Sequence, residues 1–255
     1  MAIEPAPSTK PEGYEFAYSD DPSDNSGYTL GQFVGIIQSG LASDYFDDYV
    51  KIKIVNTSDT ISDNSIVLSL HSTKHFKLEN SDDFAQTTWF MDGVLVQARL
   101  MNNTDTNKGG YLKSELDEWI EGTLYNALPY HWRSIIKPVT VLAGAGDMTQ
   151  AISSGSRHLY LPSIAELGIN VTTTPYSLEI DADANEKTFS YYSKNDQRIK
   201  KLWNGSGDAT HYWTRSAHSG SNTNFFMIWS WGGHSEQGVN ASYTDSVRVC
   251  VGFSI

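Results

Sequence analysis

The stretch MNNTDTNKGGYLKSELDEWIEGTLYNALP, residues 101–129, contains the clearest helix pattern of the chain. Its large apolar side chains fall on one face of a helix with 3.6 residues per turn. These side chains are Leu116, Trp119, Ile120 and Leu124. Ser114 is suited to cap the N-terminus of the helix, and Pro129 marks its end. The stretch therefore predicts an amphipathic helix that packs on a core.

The segments that precede this helix favour one short helix followed by strands. From Tyr28 onward, apolar residues recur at helical spacing, and Thr29 is available as an N-cap. Between Tyr49 and Leu100, the runs VKIKIV, SIVLSL and GVLVQARL are rich in β-branched residues and are bounded by Asp, Asn and Ser. Such runs are typical of strands.

The segments that follow the helix favour a second short helix and more strands. HWRSIIKPVTVLAG predicts a helix that ends before Pro138 and leads into a strand, because the residue before proline disfavours the α region. HLYLPSIAELG predicts a buried strand and then a helical turn capped by Ser163. Residues 169–197 are polar, which predicts a surface excursion. The last runs, YWTRS, NFFMIWSW and SVRVCVGFSI, predict short strands separated by loops.

This order of elements predicts an α+β fold with two central helices and short antiparallel strands. Residues 1–27 are rich in proline and poor in aliphatic side chains, which predicts a flexible arm or a docking peptide. Residues 28–100 are expected to form an N-terminal helix and a small β-rich region. Residues 101–255 are expected to form the core of the domain.

Charge and hydropathy exclude several partners. The 255-residue chain has a net charge of −12, which repels a phosphate backbone, so we expect no binding to nucleic acid. No apolar run reaches the roughly 18 residues of a membrane span, so no membrane insertion is expected. The first residues lack the basic and apolar regions of a secretory signal, which predicts that the chain is not exported by the usual route.

Candidate catalytic and metal-binding groups are few, so we expect a protein that is not an enzyme and has no cofactor or metal. The single cysteine, Cys250, lies in a predicted strand, where an inert buried thiol is the default. DADANE, from Asp181, imitates an EF-hand loop but has Glu186 where that loop requires glycine. His71 and His75 follow a predicted strand and are expected to be ordinary surface histidines. G-x-S-x-G is absent.

Several short motifs, taken in order, resemble an uncharacterised domain family of gut bacteria and their phages. They are MNNTDTNKGGY (101–111), YNALP (125–129), IKPVT (136–140), the turn with Glu166 and Gly168, Lys200–Lys201, YWTRS (212–216) and Gly252–Phe253. The resemblance covers most of residues 28–255. It implies a C-type-lectin-like fold, shared with formylglycine-generating-enzyme relatives and with the variable proteins of diversity-generating retroelements, including a phage tropism determinant.

In such proteins the segment after the W-x-R-S core forms the ligand-binding face, so the resemblance implies that residues 217–245 bind a ligand. The segment combines Trp and Tyr, which give contact area, with Ser, Gly and Asn, which give adaptable hydrogen bonds, as in antibody paratopes. Phe226 is expected to point inward, and one of Trp229 and Trp231 outward. The candidate ligand-binding residues are His218, Ser219, Ser221, Asn222, Asn224, Trp229, Trp231, His234, Glu236, Gln237, Asn240, Tyr243 and Asp245.

Another residue of the family pattern, Arg215, has two interpretations: it binds a ligand carboxylate, or it is a buried structural arginine satisfied by loop carbonyls. The second is favoured because the residue belongs to a core motif.

These observations predict a receptor-binding or adhesin-like phage virion protein, assembled in the host cytoplasm, that recognises a host-surface glycan or protein. The N-terminal arm would attach it to other virion subunits, and the resemblance also suggests a homotrimer. One alternative is a structural capsid or tail decoration protein without a host ligand. Another is a degenerate relative of the formylglycine-generating enzymes. A location in the bacterial cytoplasm, or at the cell surface by a non-classical route, is the alternative to the virion.

Overall fold

The computed structural model describes residues 3–7, 9, 11–46, 50–55, 65–169, 188–193, 198–202, 207–235, 238–243 and 246–255. The strands of this part of the chain are β1 (Tyr18–Ser19), β2 (Lys51–Val55), β3 (Ser65–Thr73), β4 (Thr87–Met91), β5 (Val139–Gly144), β6 (Ile152–Arg157), β7 (Leu159–Tyr160), β8 (Tyr212–Ala217), β9 (Asn224–Ile228), β10 (Val239–Asn240) and β11 (Gly252–Ser254). The α-helices are α1 (Leu30–Gln38), α2 (Ala42–Tyr45), α3 (Glu115–Trp119), α4 (Tyr125–Ala127) and α5 (Tyr130–Arg133). The fold is α+β and consists mostly of sheet.

The largest sheet contains six strands in the order β1-β2-β3-β4-β11-β7. β1 is parallel to β2, and the other neighbours are antiparallel. The C-terminal strand β11 pairs on one side with β4 and on the other with β7. Strands from residues 28–100 and from residues 101–255 therefore share one sheet. The smaller sheets are β10-β9-β8 and β5-β6.

Both faces of the central strand β4 are covered, which explains why its residues are all buried. Successive side chains of a strand point to opposite faces. Trp89 packs on Phe33 of α1, with ring centroids 5.6 Å apart. Phe90, on the other face, packs on Phe189 at 5.2 Å. The strand thus lies in the middle of a three-layer core, as its run of apolar residues requires.

The predicted helix of residues 111–127 is present but irregular. A 3₁₀ turn at Tyr111–Lys113 precedes α3, and a π-helical turn at Ile120–Leu124 separates α3 from α4. Ser114 caps α3 as predicted, because its hydroxyl accepts a hydrogen bond from the backbone N–H of Asp117. The chain leaves the helix at Leu128, before Pro129. The second helix, α5, is shorter than expected.

The N-terminal segment is packed on the domain, which corrects the expectation of a disordered arm over residues 1–27. Phe16 and Ala17 are buried, and β1 extends the six-stranded sheet. The Asp20 carboxylate accepts hydrogen bonds from the indole N–H of Trp132 at 2.8 Å and from the backbone N–H of Val55 at 3.1 Å. The pairing of β1 with β2 and these hydrogen bonds order the N-terminal segment. Amino-acid composition does not reveal such contacts.

His71 and His75 are not surface residues, contrary to the expectation. His71 lies in β3, is fully buried and stacks on Tyr191, with ring centroids 4.0 Å apart. Burial lowers the pKa of His71 well below its ordinary value. The Nε2 atom of His75 lies 3.1 Å from the Glu166 carboxylate. Tyr191 and Phe189 belong to the segment expected to be a surface excursion, and its described part, residues 188–193, instead contributes to the core.

Candidate functional site

Arg215 and Glu166 form the buried scaffold beneath the candidate site. Both side chains are fully buried and form a two-pronged ion pair, with N–O distances of 2.5 and 2.7 Å. Arg215 also donates to the carbonyl oxygens of Leu142 and Leu161. It therefore ties β8 to β5 and to the segment after β7. The prediction that Arg215 is a buried structural arginine is confirmed. Its acidic partner, Glu166, was not predicted.

The electrostatics of this pair match its structural role. Burial alone would raise the pKa of Glu166, but the charge of Arg215 and the hydrogen bonds from His75 and Arg215 lower it to about 2. Glu166 also accepts a hydrogen bond from the backbone N–H of Ser163, whose hydroxyl accepts from the N–H of Glu166. The carboxylate is thus charged and saturated with donors, and Arg215 is occupied by protein groups.

Three loops of the β8–β10 sheet belong to the predicted C-terminal face; the first and third lie at one end of β9, and the second lies at the other end. They connect β8 to β9, β9 to β10, and β10 to β11. The sheet itself is held by apolar side chains, because Trp213, Phe225 and Phe226 are buried. The inward orientation predicted for Phe226 is confirmed. The face therefore consists of loops on a packed support.

A buried asparagine holds the first loop from beneath. The side-chain amide of Asn107, which is fully buried, lies 2.9 Å from the carbonyl oxygens of Ser221 and Asn224 and 3.3 Å from that of His218. The Oδ1 atom of Asn107 accepts a hydrogen bond from the backbone N–H of Asp147 at 2.8 Å. One side chain thus fixes both ends of the loop.

The chain around Asn107 requires glycine because backbones approach closely there. Gly110 has a φ of +64°, and a Cβ atom on it would lie 1.7 Å from the carbonyl oxygen of Gly144. Only glycine fits this contact. The Asn-x-Gly-Gly motif of the sequence is therefore the support of the first loop.

Asp105 holds the third loop in a similar way. Its carboxylate accepts hydrogen bonds from the Ser242 hydroxyl and from the Asn240 amide. The backbone N–H of Ala241 donates to the carbonyl oxygen of Thr223 at 2.9 Å, which joins the third loop to the first. These contacts give the face a defined shape.

The second loop presents the most exposed tryptophan of the face. Trp231 is 68% exposed and lies in a tight turn, in which the N–H of Gly232 donates to the carbonyl oxygen of Trp229 at 2.8 Å. The indole lies directly on Gly233, where an added Cβ would fall 1.6 Å from the ring. Next to Gly232 lies Ile199, which is 41% exposed. Ile199, from another segment of the chain, is thus an exposed apolar neighbour of this turn.

Trp229 supports the turn from the inside. It is half-buried, and its ring meets His211 edge-on, with centroids 5.0 Å apart. The Nδ1 atom of His211 accepts a hydrogen bond from the N–H of Ser230 at 2.9 Å. One of Trp229 and Trp231 was expected to face outward, and the exposed one is Trp231.

The other predicted contact residues fall into separate groups. Asn222 and Asn240 are exposed, and the half-buried residues are Ser219, Ser221, Asn224, His234 and Tyr243. Glu236, Gln237 and Asp245 lie outside the described residues, as does the DADANE segment.

His218 differs from the expectation of a surface contact. It is only 4% exposed, and its ring stacks on Phe226 with centroids 5.2 Å apart and planes 21° apart. Its Nδ1 atom accepts a hydrogen bond from the N–H of Gly220 at 2.9 Å. Burial lowers the pKa of His218. The imidazole thus supports the first loop from within.

The described residues supply little reactive chemistry. Cys250 is buried, and burial raises the pKa of its thiol to about 11. No group of three or more His, Cys, Asp or Glu side chains in the described ranges could hold a metal ion. No helix in the described part of the chain has the length and hydropathy needed to cross a bilayer.

The comparisons with known proteins give one match. Residues 82–254 match DUF6273, a domain of unknown function. No curated protein and no solved structure matches the chain significantly. The matched region begins just before β4 and ends in β11, and it includes the loops of the candidate face and the residues that anchor them.

Proposed function

The chain belongs to the DUF6273 family, and from the surface formed by its C-terminal loops we propose that it is a non-enzymatic ligand-binding protein with a C-type-lectin-like fold. In this proposal the loops of residues 217–245 recognise a glycan or a protein on a cell surface. The observation that carries the proposal is the exposed indole of Trp231 on a rigid turn.

A ligand that covers the exposed side chain of Trp231 gains free energy of binding from the burial of apolar surface. Aromatic side chains bury roughly 150–250 Å². Covering an indole that is 68% exposed, at about 25 cal/mol per Å², contributes roughly 3–4 kcal/mol. Ile199, next to Gly232, is a second exposed apolar side chain at this turn. A flat aromatic face of this kind stacks on the C–H surface of a sugar or on a side chain of a protein partner.

Polar side chains for recognition lie in the first and third loops, at the opposite end of β9 from the turn of Trp231. The exposed side chains of Asn222 and Asn240 offer hydrogen-bond donors and acceptors, and their loops are held by Asn107 and Asp105 from below. Because the loops are already ordered, little conformational entropy is lost when a ligand binds. Exposed amide groups and an exposed aromatic side chain are both typical of recognition surfaces.

We further propose that the protein is a phage virion component that displays this face to a host cell. Several copies on one particle, as in a homotrimer, would convert later encounters into intramolecular ones and raise the avidity. Attachment to other virion subunits would use the outer side of the N-terminal segment, on which Ile3 and Tyr14 are exposed apolar residues. The ordered inner side of that segment would then connect the attachment point to the domain.

Arrays of bacterial-surface glycans and surface proteins test the proposal with three forms of the chain. They are the wild type, Trp231→Ala, and Tyr130→Ala as the matched control. Tyr130 is 77% exposed in α5, outside the proposed surface. We expect the wild type and the control to bind the same targets equally. Trp231→Ala should bind at least about tenfold more weakly, because it removes the aromatic anchor.

Two results would count against this function. Equal binding by all three forms would remove residues 217–245 as the recognition surface. Binding only to other virion proteins, with no cell-surface target, would support the decoration-protein alternative instead.

A further inference from the structure

The first loop of the candidate face begins with a turn that a histidine of the same turn holds. The N–H of Ser221 donates to the carbonyl oxygen of His218 at 3.2 Å, which closes the turn over residues 218–221. Inside the turn, the N–H of Gly220 donates to the Nδ1 atom of the His218 ring at 2.9 Å. The N–H of His218 donates to the carbonyl oxygen of Asn224 at 2.9 Å, at the other end of the loop. His218 therefore orders the loop through both its backbone and its side chain.

The hydrogen bond from Gly220 requires one protonation state of the imidazole. A ring nitrogen accepts a hydrogen bond only when it carries no hydrogen, so Nδ1 is unprotonated and the neutral ring carries its hydrogen on Nε2. When the imidazole binds a second proton, both ring nitrogens become donors. The N–H of Gly220 and the N–H of the ring would then face each other at hydrogen-bond distance and repel. The turn thus accommodates neutral His218 and not its protonated form.

The burial of His218 also opposes a positive charge. Its side chain is only 4% exposed, and its ring stacks on that of Phe226. Burial removes the water that would solvate an imidazolium, so it lowers the pKa of His218. Desolvation of this kind disfavours the charged form of a side chain.

The charged groups near His218 do not offset this cost. The ionisable residues on the elements packed against it are, in the described part of the chain, Asp105, Lys108, Asp147 and His234. Lys108 and Asp147 form an ion pair with each other, 3.6 Å apart and exposed to solvent. The exposed carboxylate of Asp105 accepts hydrogen bonds from the third loop. The ring of His234 lies 6.5 Å from that of Phe226. Exposed charges of this kind are screened by water and salt.

We propose that His218 makes the first loop sensitive to pH: the neutral ring keeps residues 218–224 ordered, and protonation releases the N–H of Gly220 and opens the loop. The consequence for binding rests on the proposed function. An opened loop no longer holds Asn222 in a fixed position, so the face binds its ligand more weakly. The ligand is therefore bound by the neutral form of the loop and is released by acid.

The pH window follows from the direction of the pKa shift. In the opened loop, His218 has the ordinary histidine pKa of about 6.5, whereas burial lowers its pKa in the ordered loop. The ordered loop therefore binds fewer protons than the opened loop. Its stability is fully present above pH 6.5 and is lost as the pH falls below 6.5 toward the lowered pKa. Between pH 8 and pH 5, the equilibrium should shift toward the opened loop by up to about 30-fold.

Amide hydrogen exchange of the full chain, without any ligand, measures this opening. Rates at pH 8 and pH 5 are compared after correction for the intrinsic pH dependence of exchange in an unfolded chain. The protection of Gly220 and Ser221 should fall at pH 5 by up to about 30-fold. The amide of Trp213, which donates to the carbonyl oxygen of Arg248 in the supporting sheet, should lose less protection than the loop. An NMR titration of the His218 ring in the same protein should give a pKa below 6.5.

Two variants assign the effect to His218. His218→Asn retains an acceptor for the N–H of Gly220, because the side-chain oxygen of asparagine bonds to the backbone two residues on, as in an Asx turn. Asparagine does not titrate, so the protection of residues 218–224 should be the same at pH 8 and pH 5. His158→Asn is the matched control. It also removes one histidine, which lies outside the three loops and contacts Glu121 at 3.2 Å, and it should keep the acid response of the wild type.

Three results would overturn the proposal. The first is a wild-type loop that is as protected at pH 5 as at pH 8. The second is a full acid response in His218→Asn. The third is a pKa of 6.5 or above for His218 in the native protein, a measurement that decides the matter even if His218→Asn does not fold.

Binding to a target found on the arrays tests the consequence for the ligand. The wild type should bind more weakly at pH 5 than at pH 8, and His218→Asn should bind equally at both. Equal binding by the wild type at both pH values would overturn the regulation of the face. The exchange and NMR measurements need no ligand, so failure of the loop to respond to pH is distinguishable from failure of the proposed function.

Discussion

Replacement of Asn107 by alanine tests whether the recognition loops are preorganised from below. The amide group of Asn107 has two hydrogens for three nearby carbonyl oxygens, so the 3.3 Å contact with His218 is the weakest of the set. The side chain also accepts one hydrogen bond from Asp147. Alanine removes all of these contacts and leaves the backbone free to remain in place.

The magnitude follows from the number of lost hydrogen bonds. Each contributes about 1 kcal/mol net, so two good donor bonds and one accepted bond predict a loss of about 3 kcal/mol in the free energy of unfolding. For a chain of this size, the midpoint temperature should fall by about 6–12 °C. Asn107→Asp should cost more than alanine, because the isosteric carboxylate would face the carbonyl oxygens of Ser221 and Asn224.

Thermal unfolding and amide hydrogen exchange measure both consequences. The exchange of amides in residues 218–224 should accelerate in Asn107→Ala, and ligand affinity should fall although Asn107 is fully buried. The control is Asn126→Ala, because Asn126 is exposed and bonds only locally to Gly122. A midpoint within about 2 °C of the wild type, with unchanged exchange, would refute the reasoning about this anchor.

Further outcomes follow from the turn, the buried ion pair and the thiol. Gly233→Ala should displace the indole of Trp231, because the added Cβ would lie 1.6 Å from the ring, and it should therefore weaken ligand binding on the arrays. The control is Gly122→Ala, whose Cβ would have no atom within 4 Å and which should leave binding unchanged. Because the pKa of Glu166 is lowered from 4.5 to about 2, its contribution to stability is present above pH 4.5 and is lost as the pH falls toward 2. Glu166→Gln should reduce the slope of unfolding free energy against pH in that window by up to about 1.4 kcal/mol per unit. Cys250, buried with a raised pKa, should react with a thiol reagent at pH 8 only as fast as the protein unfolds, and rapid labelling of the native protein would contradict its placement.

Local patterns predicted much of the secondary structure because the interactions that determine it are local. The cap at Ser114, the stop before Pro129 and the cap of α1 at Thr29 all depend on neighbouring residues. The strand predictions around β2, β3, β8 and β9 were confirmed for the same reason, since alternating or clustered apolar residues reflect the burial of a strand.

Long-range pairing was not visible in the sequence. β1 is short, and its pairing with β2 and the hydrogen bonds of Asp20 to Val55 and Trp132 give order to residues 11–27. His71 is a polar side chain that becomes buried because Tyr191, 120 residues away in sequence, covers it. No local pattern contains that information.

The candidate site likewise has features that local sequence predicts and features that depend on distant residues. The family resemblance and the composition predict that residues 217–245 bind a ligand, and the structure places Trp231, Asn222 and Asn240 of this segment at the surface. Composition did not predict that Asn107 and Asp105 anchor these loops, because their partners Ser221 and Ser242 lie 114 and 137 residues away in sequence.

Hydroxyl-radical footprinting of the intact chain, alone and with a target found on the arrays, tests the central claim most directly. The account predicts that the ligand protects Trp231 from oxidation and leaves the more exposed Tyr130 unchanged. Protection of Tyr130 with undiminished oxidation of Trp231 would contradict it.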